Sequence, residues 1–192
     1  MRHPLIIDLE TKHTFREYSD PSKLGISVIG IYDYTDRSFK SFTEQTIPSL
    51  YPLLEHASYI IGYNSNNFDL AVLQGYYPGD IKQFKTFDLL EDIRFILGKR
   101  LSLNDVVNAT LNKRKSGHGL HAIHLYKEGQ IEELIKYCLD DVSLTKELFE
   151  YGVTHNEIFY PSGAGKSSIK VSWKKYLEES DEKKDISLTL PF

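Results

Sequence analysis

The sequence predicts an α/β domain built on a mixed sheet, and three observations carry that reading. Segments rich in β-forming residues come first; beyond Pro48, apolar residues at helical spacing alternate with short apolar runs of buried-strand type; and 192 residues with 41% hydrophobic content can bury one sizeable core. The same composition excludes a disordered chain, a collagen and a repeat solenoid.

The elements follow in chain order. Residues 5–8 form a short apolar run that ends in an acid, and after a polar loop over residues 12–24 come residues 26–32, rich in β-branched side chains. Both read as strands. Residues 38–43 set Phe39 and Phe42 among polar neighbours and return across the turn at 33–37, completing a three-stranded meander. Leu50, Leu53, Leu54 and Ala57 then keep helical spacing, and residues 59–63 are short enough for a buried strand. Asn67 is placed to cap a helix from Phe68 to about Gly75, and residues 84–87 read as a strand. Residues 89–97 and 102–111 read as helices, the second with Ser102 as N-cap and Asp105 three residues on. The longest helix is predicted over residues 130–151. Past Gly152, residues 157–160 and 168–173 read as a β-hairpin around Pro161-Ser-Gly-Ala-Gly. The expected organisation is one domain over 1–152, a hairpin appendage over 153–177, and a charged linker and tail over 178–192.

Charge and composition bound the function. No apolar run approaches the ~20 residues that cross a bilayer, and Asp8 comes too early for a secretory apolar region, so a cytoplasmic location without a membrane partner is expected. Cys138 is the single cysteine, which removes an intramolecular disulfide and a cysteine zinc site from consideration. A net charge of −4 with pI ≈ 6.0 lacks the basic footprint of a protein that grips long duplex by phosphate neutralisation. Nucleic acid stays compatible with this charge, because bound divalent ions supply positive charge locally.

Three acidic elements carry the chemistry. Asp8 and Glu10 stand two apart at the end of the first strand, where alternation sends both carboxylates to one side, the arrangement of a hard-metal site. Asp69 follows a buried strand at the opening of a helix, within Gly62-Tyr-Asn-Ser-Asn-Asn-Phe-Asp69. Tyr137 and Asp141 lie four apart in the long helix and point together, while Asp140, rotated by roughly 100°, faces solvent.

In this order and context the three elements resemble the DEDD superfamily of 3′–5′ exonucleases, which has the ribonuclease H-like fold. Tyr137, four residues before the last acid, is similar to the tyrosine of the DEDDy subgroup, whereas Lys136 stands where the histidine subgroup has its histidine. The resemblance covers roughly residues 4–152 and implies a mixed five-stranded sheet flanked by helices, with the acids converging at its central strands. It implies that Asp8 bridges two divalent metal ions, that Glu10 and Asp141 complete one site, that Asp69 supports the other through water, and that Tyr137 orients the attacking water. In-line hydrolysis of a phosphodiester places charge on both attacking and leaving oxygens, and two ions stabilise both. All-oxygen ligation selects Mg²⁺ or Mn²⁺ over zinc.

The expected activity is release of nucleoside monophosphates from nucleic acid 3′ ends, with single-stranded DNA favoured and RNA possible, in DNA repair or replication. The alternative is a non-catalytic nucleic-acid-binding or clamp-associated module that retains the fold. Leu9, Thr11, Asn64 and Phe68 are the candidate contacts to the terminal nucleotide. Lys99-Arg100 and Lys113-Arg114-Lys115 are short basic clusters in loops, suited to steering phosphates or simply solvated. Gly165-Lys166-Ser167 lacks the first glycine of a phosphate-binding loop, since Tyr160 stands there. His118, His121 and His124 recur every three residues, but the first and third would face apart on a helix, and Gly117 and Gly119 argue for a loop. Residues 187–192, Ser-Leu-Thr-Leu-Pro-Phe, resemble the short peptide with which bacterial replication and repair proteins dock on the sliding clamp, with serine where glutamine is preferred; a terminal strand or packed tail is the alternative reading.

Overall fold

A computed structural model describes residues 2–115, 117, 119–163 and 165–178. The linker and tail from 179 onward, with the clamp-like residues 187–192, and His118 lie outside the described residues. Five strands form one sheet in the order β3-β2-β1-β4-β5: β1 (Leu5–Thr11), β2 (Ile26–Asp33), β3 (Ser38–Thr43), β4 (Ile60–Gly62) and β5 (Thr86–Asp88). The meander β1-β2-β3 is antiparallel, and β4 and β5 run parallel to β1. This is the ribonuclease H-like mixed sheet. β2, Ile-Ser-Val-Ile-Gly-Ile-Tyr-Asp, is buried along its whole length because both faces are covered.

Alternation along β1 sorts its side chains between two cores. Leu5, Ile7 and Leu9 face a cluster with Ile29, Leu50, Leu54, Leu70 and Leu73, which takes in α1 (Tyr51–His56) and α2 (Asp69–Leu73). Ile6 faces the opposite cluster, with Ile61, Phe87, Ile93, Val106, Val142 and Leu148, under α3 (Leu89–Leu97), α4 (Leu103–Leu111) and α6 (Ile131–His155). Asp8 and Glu10 share the face of Ile6 by the period of two. They therefore project toward α6.

Several boundaries differ from the sequence reading for identifiable reasons. Residues 119–127 form a helix, α5 (Gly119–Lys127), where two glycines argued for a loop. Ala122 and Leu125 on it pack with Val28, Leu134, Tyr137 and Cys138, and this tertiary burial outweighs the weak local signal. Asn67 does not cap α2. Phe68 holds that position without a side-chain bond, and the Asn67 amide donates to Glu91 at 2.9 Å. α6 runs on to His155, where Asn156 adopts the left-handed conformation that ends it.

The hairpin is β6 (Glu157–Ser162) with β7 (Gly165–Lys170), so Gly165, Lys166 and Ser167 are strand residues. Val171 to Trp173 leave the second strand early, before the short α7 (Lys174–Leu177). Trp173 is 1% exposed, lies near-parallel to Phe149 at 6.2 Å and donates from its indole to Asp92 at 2.8 Å. Gly152 makes that seat, since a Cβ there would fall 2.2 Å from the indole ring. Among the described residues no helix is long and apolar enough to cross a membrane.

Candidate functional site

Asp8 lies opposite Gly30 in the β1–β2 register. A Cβ on Gly30 would stand 3.0 Å from both Cys138 Sγ and Val142 Cγ2 and 3.1 Å from Leu139. The bare backbone of β2 thus lets α6 settle onto the sheet beside Asp8, and the Cys138 thiol reaches the Asp8 carbonyl at 3.5 Å. One turn of close contact brings Asp141, whose side chain is 1% exposed, over the strand. One oxygen from each of Asp8, Glu10 and Asp141 lies within 4.8 Å of the others. Asp140 is exposed.

Asp69 stands outside that group of three, at the opening of α2. Its Oδ1 accepts the Leu9 amide at 2.9 Å, which ties the opening of α2 to the strand that carries Asp8 and Glu10. The loop leading to it is held by Asp88, a residue the sequence reading passed over. Asp88 ends β5, caps α3 by accepting from Leu90 N–H at 2.9 Å, and accepts from the amides of Asn64 (2.8 Å) and Asn66 (3.0 Å). Asn64 has φ +64°, a conformation asparagine tolerates better than most residues. An acid directly before a helical run was the available signal for the cap; its reach across to the Asn64 loop had none.

Burial and mutual repulsion control the charges. Desolvation, then the fields of Asp69, Glu10 and Asp141, hold the Asp8 carboxyl well above its usual range. Burial and Asp141 push Glu10 up to about 8, and burial raises Asp69 to about 7 against the Leu9 bond that favours its charge. Burial likewise raises Asp141, opposed by Lys115. Lys115 is the cation at this centre, with Nζ 2.6 Å from Asp141 Oδ2 and its side chain 24% exposed. Although burial acts to lower it, the fields of Asp8 and Asp141 hold its ammonium above the ordinary lysine range. In the sequence, Lys115 shows only as the end of the basic loop cluster Lys113-Arg114-Lys115.

Tyr137 sits one helical turn before Asp141, buried, with His121 edge-on to its ring at 5.7 Å. Its hydroxyl and Asp141 Oδ1 have no hydrogen-bond partner among the described residues. Burial raises its pKa, opposed by Lys115 and reinforced by the nearby carboxylates of Asp141, Glu10 and Asp8.

The four candidate substrate contacts have diverse surroundings. Leu9 is 2% exposed with its side chain in the core, so its amide is what it brings to the centre. Thr11 donates its hydroxyl to the His13 carbonyl at 2.8 Å. Asn64 accepts from Arg100 at 2.8 Å. Phe68 is half-buried against Phe15, ring centres 5.8 Å apart, and Phe15 itself is 53% exposed. His124 pairs with Glu128 on the surface, and Asp8, Glu10 and Asp141 form the one metal-competent group among the described residues.

A buried carboxylate cluster at the central strand of a β3-β2-β1-β4-β5 sheet defines a ribonuclease H-like protein. The chain belongs to the RNase H superfamily, matching the RNase_H_2 family over residues 5–153. No curated protein matches it. Among solved structures it is similar to a family B DNA polymerase from the hyperthermophilic archaeon Pyrobaculum calidifontis (TM-score 0.60, 19% identity, 80% of this chain and 25% of that one). It is also similar to RNase D of Trypanosoma brucei (TM-score 0.57, 15% identity, 78% of this chain and 57% of that one). At these identities the likeness is one of fold, and the chain spans a quarter of the polymerase and just over half of the RNase D.

Proposed function

We propose that the protein is a metal-dependent 3′–5′ exonuclease that hydrolyses phosphodiester bonds at nucleic acid 3′ ends and releases nucleoside monophosphates. The observation that carries this reading is the convergence of Asp8, Glu10 and Asp141, with Asp69 fastened to the same strand by the Leu9 amide.

The residues present fit hard divalent ions. Every donor is a carboxylate oxygen, Glu10, Asp69 and Asp141 are buried and Asp8 half-buried, and burial with mutual repulsion raises the acids, which a bound cation would offset. Asp8, Glu10, Asp69 and Asp141 would hold two Mg²⁺ or Mn²⁺ ions. Bound there, the ions would supply the positive charge that the attacking and leaving oxygens require. The protein's own groups do the rest. Tyr137, whose hydroxyl has no hydrogen-bond partner among the described residues, orients the attacking water; Cys138 and Gly30 keep α6 against β1; and Asp88 fixes the loop that presents Asp69.

The substrate strand enters beside Thr11, Asn64 and Phe68, with the Leu9 amide beneath. The exposed ring of Phe15 beside Phe68 suits unstacked bases and so single strands; single-stranded DNA is the proposed substrate, with RNA an alternative. A role in DNA repair or replication, with residues 187–192 docking on a sliding clamp, completes the proposal. Retention on immobilised clamp should be lost when the last six residues are removed, and equal retention would remove the clamp from the account.

The test is digestion of 5′-labelled single-stranded DNA and RNA oligonucleotides with Mg²⁺, Mn²⁺ or EDTA, beside the Asp8→Ala protein. Stepwise shortening that needs both metal and Asp8 is expected. Binding without cleavage under every condition would make the protein a non-catalytic nucleic-acid-binding module instead.

A further inference from the structure

Lys115 occupies the place where the acids would receive a cation. Its ammonium is 2.6 Å from Asp141 Oδ2, and its field lowers the pKa of Asp8, Glu10 and Asp69 as well. The backbone around it is anchored independently of this contact. The Lys115 amide donates to Asn104 Oδ1 at 3.0 Å, which fastens the main chain to the first turn of α4. Two residues on, Gly117 lies against Tyr137, where a Cβ would be 3.2 Å from the ring. The four-carbon stem is thus the movable part, and it can swing the charge away without displacing the loop.

A divalent ion on the unpartnered Asp141 Oδ1 would share one buried carboxylate with the ammonium on Oδ2, and like charges held that close repel strongly where solvent screens little. We propose that Lys115 is the resident counter-cation of the acidic centre in the metal-free protein. It yields Asp141 when a divalent ion binds, so metal affinity is set by competition with the protein's own side chain. The ammonium keeps four crowded carboxylates together until the ion arrives, and its release leaves a cation at the mouth of the site. The identity of the competitor rests on the two-metal reading above.

The experiment is isothermal titration of Mn²⁺ into the wild-type and Lys115→Met proteins, with metal-free melting temperatures measured on the same samples. Methionine keeps most of the stem and removes the charge. The expected result is at least tenfold tighter Mn²⁺ binding by Lys115→Met together with a lower metal-free melting temperature, while Lys115→Arg stays close to wild type. Measurable but equal affinities, or weaker binding by the methionine variant, would overturn the inference and leave the metal reading standing. Absence of Mn²⁺ binding in both proteins would overturn both. A measurement on the wild-type chain needs no variant: the Lys115 ¹⁵Nζ resonance should shift on titration with Mg²⁺, and an unmoved resonance at saturating Mg²⁺ would equally overturn the inference.

Discussion

Asp8 on β1 stands directly across from Gly30 on β2, and the missing side chain at Gly30 is what brings α6, and Asp141 with it, down to the acid pair of the central strand. Geometry at a glycine therefore sets the distance between carboxylates contributed by elements some 130 positions apart in sequence. Replacing Gly30 by valine drives methyl groups into Cys138, Val142 and Leu139. Overpacking of this kind costs about 1–3 kcal/mol of stability. Nuclease activity should fall more than tenfold at temperatures where the variant is still folded by circular dichroism. A variant with wild-type rate would show that the helix position does not matter to the site.

Tyr137→Phe removes a hydroxyl that has no hydrogen-bond partner among the described residues, so stability should be unchanged or slightly raised. The rate of cleavage should drop by one to two orders of magnitude, while Mn²⁺ binding by titration calorimetry stays at the wild-type value. Loss of metal binding would show that the phenol supports the carboxylates rather than the water.

The pH dependence follows from the raised acids. In the unfolded chain Glu10 and Asp69 ionise at their usual values, but in the folded metal-free protein they hold protons up to about 8 and about 7. Their contribution to stability is fully present below the unfolded values and is lost as pH rises through the folded ones, because the folded state then binds more protons than the unfolded state. The melting temperature in EDTA should therefore decline between about pH 5 and 8. Mn²⁺ should stabilise increasingly over the same window and release protons on binding, read as a buffer-dependent enthalpy. A flat or rising EDTA profile would contradict these assignments.

Asp88→Ala uncaps α3 and orphans the amides of Asn64 and Asn66 in one step. Loss of an N-cap alone costs about 0.5–2 kcal/mol. Because the same loop presents Asp69, cleavage should be impaired beyond what the loss of stability explains. Comparing rates well below the variant's melting temperature separates the two, and a variant with lowered melting temperature but full rate would confine Asp88 to a structural role.

Trp173 packs against both Phe149 and Phe87, and its indole donates to Asp92. Trp173→Ala should cost about 3–5 kcal/mol by chemical denaturation. A loss below about 1 kcal/mol would mean that the segment after the hairpin lies on the surface rather than in the core.

Much of the frame was legible because local pattern and burial agree there. The β-branched run of β2, the Ser102 cap and the four-residue step from Tyr137 to Asp141 each state in sequence what the fold uses. α5 was hidden because its helicity depends on Ala122 and Leu125 meeting Tyr137 and Cys138, partners supplied by the tertiary structure. Lys115 and Asp88 act across the chain, one on Asp141 and the other on the amides before Asp69, and no spacing rule connects them. Gly30 reads as an ordinary strand glycine until α6 is seen against it.

The single-turnover cleavage rate of a 5′-labelled oligonucleotide in Mn²⁺ distinguishes Asp141 from its neighbour as the acid that completes the carboxylate cluster with Asp8 and Glu10. Asp141→Asn should abolish stepwise shortening from the 3′ end, while Asp140→Asn, altering an exposed acid on the adjoining position, should cleave at the wild-type rate. Full activity in Asp141→Asn would contradict the account.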